Sequence, residues 1–208
     1  MSILTEKQIK YGHNYFHKDE PDKRCIVEVS DYKGEKELII NCTQLGDSFT
    51  PQYKTAKDKK RVLEEWCDFL KNNKTAFTEL TFVTRMPQEL FNAVCEQENL
   101  KKLHIKWGLY PDISNLANLT KLEYLHLGSG VSVSNIEAIS KLKNLVALSV
   151  ENFQKINDYS PLIGLKNLES LSIEGDGLGP QYIHVNSLDF LTEMKQLRFF
   201  SFLTAGLK

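Results

Sequence analysis

The chain has 208 residues, 41% of them hydrophobic and 25% charged, enough for one sizeable core or two small ones and too apolar for a disordered polymer. Its 26 basic and 27 acidic residues nearly cancel, so no global field draws it to nucleic acid or to an anionic membrane surface. The start Met1-Ser2-Ile3-Leu4 lacks the charged residue and apolar run of an export signal, and no apolar stretch reaches the ~18–20 residues of a membrane span, so a cytoplasmic chain is expected.

Residues 1–23 are polar and aromatic, with Pro21, and read as a short helix and an irregular arm. From Cys25 to Cys42 apolar residues alternate around Lys33-Gly34, the pattern of an antiparallel hairpin over about 24–43. Such a hairpin sets Cys25, Val27 and Val29 opposite Cys42, Ile40 and Leu38, and in a reducing compartment the two cysteines are packed thiols rather than a disulfide. Cys25, Cys42, Cys67 and Cys95 include no C-x-x-C pair, so neither a zinc ribbon nor a redox motif is present. Val62, Leu63, Trp66, Phe69 and Leu70 recur at helical spacing and predict an amphipathic helix over about 56–72. Hairpin and helix together form an N-terminal α/β cap over 1–73. The cations at the helix start, Lys54, Lys57, Lys59, Lys60 and Arg61, lack interleaved aromatics and read as a solvated face rather than a nucleic-acid site.

Over 74–208 one apolar frame, L-x-x-L-x-L, recurs about six times, with first positions at Phe77, Leu100, Leu122, Leu145, Leu168 and Leu197. A second apolar set follows most frames at helical spacing, as in Ile113, Leu116, Leu119 and in Ile136, Ile139, Leu142. Each unit is therefore a strand plus a helical turn. One unit cannot bury its apolar side alone, so neighbours must stack into a continuous core. In the first unit, Pro87 followed by Gln88-Glu89-Leu90-Phe91-Asn92-Ala93-Val94 predicts a full helix with Leu90, Phe91 and Val94 inward.

These frames, with the stretch Ile156 to Leu168, resemble the leucine-rich-repeat family, in particular the 22-residue type of bacterial internalins and phosphatase-regulatory repeat proteins. The resemblance covers about 74–208. It implies an α/β solenoid with a parallel sheet on its concave face and helical turns on its convex face, behind the N-terminal α/β cap. It carries no catalytic motif and no cofactor, and implies protein binding without naming a partner. The chain departs from the family where an asparagine usually follows the frame by three residues: those positions hold Gly108, Gly130, Phe153 and Asp176, so the usual side-chain ladder is absent there.

In such a solenoid the residue between the second and third frame positions points out from the concave sheet, giving the column Thr81, His104, His126, Ser149, Ser172, Ser201. With the flanking columns, the face is basic and aromatic early (Lys106, Trp107, Tyr124), small in the middle and acidic late (Glu151, Glu174). His104 beside His126 is the sharpest pair, suited to anchoring a ligand or, with Glu151, to a metal-dependent or acid–base site. No third ligand is evident in the sequence for a metal, and solvated histidines are ordinary surface. The last repeat interval inserts Gly175 to His184, expected as a loop over the concave rim that presents Asp176, Tyr182 and His184 to a partner. The final strand, with Phe199, Phe200 and Phe202, lacks a polar capping unit, which makes self-association through that edge the alternative to a protein partner on the concave face.

Overall fold

The computed structural model describes residues 4–11, 23–176 and 182–207. Eight parallel strands make one sheet in the order β1 (Cys25–Ile26), β2 (Glu37–Ile40), β3 (Glu79–Pro87), β4 (Lys102–Leu109), β5 (Tyr124–Leu127), β6 (Ala147–Glu151), β7 (Ser170–Glu174) and, past a short excursion, β9 (Phe199–Leu203). The frame sets the register. Leu80, Leu103, Leu125, Leu148, Leu171 and Phe200 lie side by side, as do Phe82, Ile105, Leu127, Val150, Ile173 and Phe202, and all but the two phenylalanines of β9 are buried. Parallel strands need a crossover between them. Here single 3-10 turns supply it, at Ser114–Asn118, Ile139–Lys141, Ser160–Gly164 and Asp189–Glu193, and they bury Leu116, Ile139, Leu162 and Phe190 against the back of the sheet. In the first unit helix α3 (Gln88–Val94) takes that place, burying Leu90, Phe91, Ala93 and Val94.

At the N-terminal end the alternation over Cys25 to Cys42 forms no hairpin. β1 and β2 run parallel, with Cys25 beside Ile39 and Ile26 beside Ile40, and a 3-10 turn at Val29–Asp31 lies in the connection between them. Cys25 is therefore not opposite Cys42: the first is exposed, the second buried, and both are free thiols. β2 in turn pairs with β3, so these strands extend the repeat sheet rather than forming a separate layer. Helix α2 (Ala56–Asn72) begins at a reciprocal cap in which Thr55 Oγ1 accepts from the Asp58 N–H and the Asp58 carboxylate accepts from the Thr55 N–H. It buries Val62, Trp66, Cys67 and Leu70, and the Trp66 indole donates to the Val27 carbonyl at 2.7 Å. Phe69 meets Tyr32 and Trp66 edge-on at 5.1 and 5.7 Å, closing this end of the core.

The turns solve the missing asparagine in two ways. Just past β5, β6 and β9 stand Ser129, Asn152 and Thr204, each at positive φ, which bends the chain off the sheet at one equivalent position. Across the repeats, Gly108, Gly130 and Asn152 donate their N–H groups to the carbonyls of Gly128, Glu151 and Glu174. A side-chain ladder does exist, but on the residue before each of the last three frames: Asn144 Nδ2 donates to the Thr120 carbonyl at 2.8 Å, Asn167 to Lys143 at 2.9 Å, and Gln196 to Leu165 at 2.8 Å. Thus the backbone groups freed by irregular turns are bonded to the next repeat.

The excursion between β7 and β9 ends in β8 (Ile183–Val185), which pairs in parallel with β10 (Ala205–Leu207) as a separate two-stranded ribbon. Ile183 and Val185 enter the main core, and Asn186 donates to the Asn157 carbonyl. The expected rim loop is therefore corrected over its final residues, because two buried aliphatic side chains fasten them to the solenoid wall; residues 177–181 of that expectation lie outside the described residues. No described helix is long and apolar enough to cross a membrane.

Candidate functional site

The concave sheet carries a continuous column in register: Ile39, Thr81, His104, His126, Ser149, Ser172 and Ser201. Adjacent strands in a sheet stand ~4.8 Å apart. At that spacing the imidazoles of His104 and His126 stack, with centroids 4.3 Å apart and planes within 15°. His126 Nδ1 and Ser149 Oγ lie 3.0 Å apart, a hydrogen bond that fixes the ring's rotation. One column over, the Lys102 ammonium sits 5.3 Å from the centre of the Tyr124 ring and 3.4 Å from the Glu79 carboxylate. Glu79 is buried and also pairs with Lys23, so two cations offset its desolvation. Towards the end of β4 the Lys106 ammonium lies 4.9 Å over the Trp107 ring. His104, Trp107, Tyr124 and His126 are half-buried and Lys106 is exposed, forming one shelf of rings and cations on two neighbouring strands.

Two strands further on, Glu151 and Glu174 are register partners, both half-buried, and Ser201 Oγ donates to Glu174 at 3.0 Å. Asp176 stands half-buried two residues past β7. Tyr182 and His184 are exposed on the wall formed by β8 and are not brought to the histidine pair. The ten residues singled out by sequence thus fall into three groups: a basic aromatic shelf on β4 and β5, a carboxylate pair on β6 and β7, and a polar wall around β8. Among the described residues no cluster of three or more His, Cys, Asp or Glu is placed to hold a metal ion.

Two placements add to the expectations: the part of Lys102, a member of the flanking column, in the shelf, and the resting place of the short helix expected within 1–23. Lys102 completes the shelf, and its signal was the flanking column itself. The second is helix α1 (Glu6–Tyr11), which lies against the concave side: Leu4, Val146 and Ala147 form a buried apolar cluster apart from the main core, with Ile9 and Tyr124 packed on it. Its signal was Thr5-x-x-Gln8, a capping box flanked by Leu4 and Ile9.

The same arrangement of parallel strands and short convex turns is found in an internalin from Listeria monocytogenes, with a TM-score of 0.53 and 25% identity over 67% of this chain and 38% of that one. This chain has the leucine-rich-repeat fold. Internalin C2 from the same organism matches at TM-score 0.47 with 26% identity, covering 68% of this chain and 57% of that one. A leucine-rich-repeat protein from Leptospira interrogans matches at 0.42 with 17% identity, covering 62% and 36%. The chain thus spans less than two-thirds of the length of each of these proteins. No family model and no curated protein sequence matches it. The leucine-rich repeats here differ from a bare solenoid in carrying α1 against the concave sheet and in fusing β1 and β2 to its N-terminal edge.

Proposed function

We propose that this leucine-rich-repeat protein is a non-catalytic interaction module that receives a polypeptide partner on its concave face. The observation that carries this reading is the shelf of His104, Lys106, Trp107, Tyr124 and His126, half-exposed rings and cations held on two adjacent strands of a rigid sheet. Aromatic side chains offer large contact area at low conformational cost, and the lysines and imidazoles favour carbonyls and carboxylates on the partner. Glu151 and Glu174 at the other end of the sheet orient a partner of opposite polarity along the face. Asp176, Tyr182 and His184 form a lateral extension of that surface.

The test is affinity capture from the source cytosol with the parent chain and with Tyr124→Ala/His126→Ala as control. A protein enriched by the parent should be lost with the variant, as truncating a central aromatic anchor weakens binding by about thirtyfold or more, while the thermal midpoint changes little. Equal capture by both would remove this face from the reading. The remaining surface would then be the open edge of β9, where Phe199, Phe200 and Phe202 are half-buried and Leu203 and Leu207 are each 59% exposed, an edge suited to a second copy of the chain.

A further inference from the structure

The small side chains of the concave face on β6 and β7 are buried. On an open concave sheet, small side chains are the ones water reaches most easily, yet Ala147, Ser149, Ser170 and Ser172 are 0 to 4% exposed. Ser170 stands in register between Ala147 on β6 and Phe199 on β9. Helix α1 reaches both sides of that interval: Leu4 packs on Val146 and Ala147, and the helix also contacts β9. Leu4 is only 6% exposed.

The signals that shape this segment are local to it. The Gln8 side chain accepts from the Thr5 N–H at 2.9 Å, and Thr5 Oγ1 accepts from the Gln8 N–H at 3.2 Å. Leu4 just before the cap and Ile9 one turn on belong to the same apolar cluster, the arrangement of a hydrophobic staple. A unit whose geometry comes from its own residues keeps that tendency when it leaves the sheet, although a single turn or two is marginal alone. What holds it on the repeats is the seat formed by Val146, Ala147 and Tyr124. That cluster is separate from the main core, so the core's frame residues stay packed whether or not the seat is filled.

We infer that Leu4–Tyr11 is a displaceable ligand in cis that closes the β5–β9 half of the concave face, and that the partner entering there is a short amphipathic helix carrying an aliphatic pair in place of Leu4 and Ile9. The consequence for binding rests on the concave-face reading above; the closure itself does not.

Closure is tested by thiol labelling of the full chain in a Cys25→Ser background, with Ser170→Cys as the reporter. Leu4→Asp/Ile9→Asp should raise the labelling rate at position 170 by about tenfold or more while Cys95, buried in the main core, stays unreactive. Equal rates with and without the arm substitutions would overturn the closure. Acceleration of Cys95 together with position 170 would also overturn it, since the arm would then be part of the folding core. A synthetic peptide of residues 1–11, added at millimolar concentration to match a tethered segment, should restore slow labelling in the arm variant. A peptide without effect would overturn the exchangeable-ligand part. Capture of a partner should rise in the arm variant and fall in His104→Ala/His126→Ala, which leaves the seat of Val146, Ala147 and Tyr124 in place, so failure of the labelling and failure of the concave-face reading are separately visible.

Discussion

At the scale of single residues, the close stacking of repeats is enforced where side chains are forbidden. A Cβ placed on Gly128 would stand 2.0 Å from the Lys106 carbonyl oxygen, a backbone atom of the preceding repeat that cannot move without parting β4 from β5. Gly164, in a convex turn, would meet only the tip of the Lys143 side chain at 3.2 Å. Gly128→Ala should therefore lower stability by about 1–3 kcal/mol or more in urea denaturation, whereas Gly164→Ala should be close to neutral. Similar losses at both sites would show that the Gly128 contact is relieved by a small backbone shift. Phe153 shows why the family's usual asparagine is dispensable here: it is buried, and a Cβ on Gly130 would meet its ring at 2.1 Å, so packing between repeats occupies the place of a polar ladder. The sequence showed that asparagine was missing at this position, but only the packed neighbours show what replaces it.

At the scale of elements, helix α2 is tied to the first turn of the sheet by charge as well as by apolar contact. The Arg61 guanidinium bonds both Glu28 oxygens, at 2.7 and 3.1 Å, and Glu65 one helical turn on at 2.8 Å. The hydrogen bond from Arg61 holds the Glu28 carboxyl below its ordinary value of 4.5, against a smaller opposing effect of burial. A carboxylate whose folded pKa is depressed contributes stability that is full above the unfolded value and is lost as pH falls through the folded one. The parent should therefore unfold at higher urea than Glu28→Gln at pH 7, and the two midpoints should converge as pH drops below about 4; a gap that persists at pH 3 would mean that packing, not charge, carries the difference. The pair is partly exposed, so the effect is modest. It also explains part of the basic run at the helix start: Arg61 and Lys60 are paired within the helix, to Glu65 and Glu64, as a solvated helix face requires.

At the scale of the whole molecule, one apolar core runs from Ile26 to Met194 without a break, and the parallel sheet crosses the boundary expected near residue 73. In a stack of repeats each unit is stabilised by its neighbours, so β1, β2 and α2 should open together with the units they cover. Thiols report this directly. Cys25 is exposed, although its surroundings also raise its thiol, and should react first at pH 8, while Cys42, Cys67 and Cys95 are buried in the folded chain. Burial raises all three thiols, Cys67 to about 11 and the other two further, so little thiolate is present even where reagent reaches them. Cys42 and Cys95 should become reactive over the same narrow range of urea. Reaction of Cys42 at clearly lower urea would instead mark residues 1–73 as an independently folding cap.

The repeat frame was legible from the chain alone because its cause is local. Leucines three and two residues apart put one strand's side chains into one core, and a period near 23 residues repeats that instruction until stacking is the only way to bury them. The histidine column followed from the same alternation, since each frame fixes which residues face outward. Alternation over Cys25 to Cys42 specified strands but not the direction in which they pair, because side chains alternate with period two in parallel and antiparallel sheets alike. The core decided it by accepting Leu38 and Ile40 beside Leu80 and Phe82. Likewise, Ile183 and Val185 were read as part of a rim loop until an unfilled wall of the solenoid received them, and the capping box at Thr5 fixed a turn of helix without saying where it would rest. Those placements depend on contacts between segments distant in the chain, from Asn186 with Asn157 and Leu38 with Leu80 to Leu4 with Val146, which no local pattern encodes and only the assembled sheet supplies.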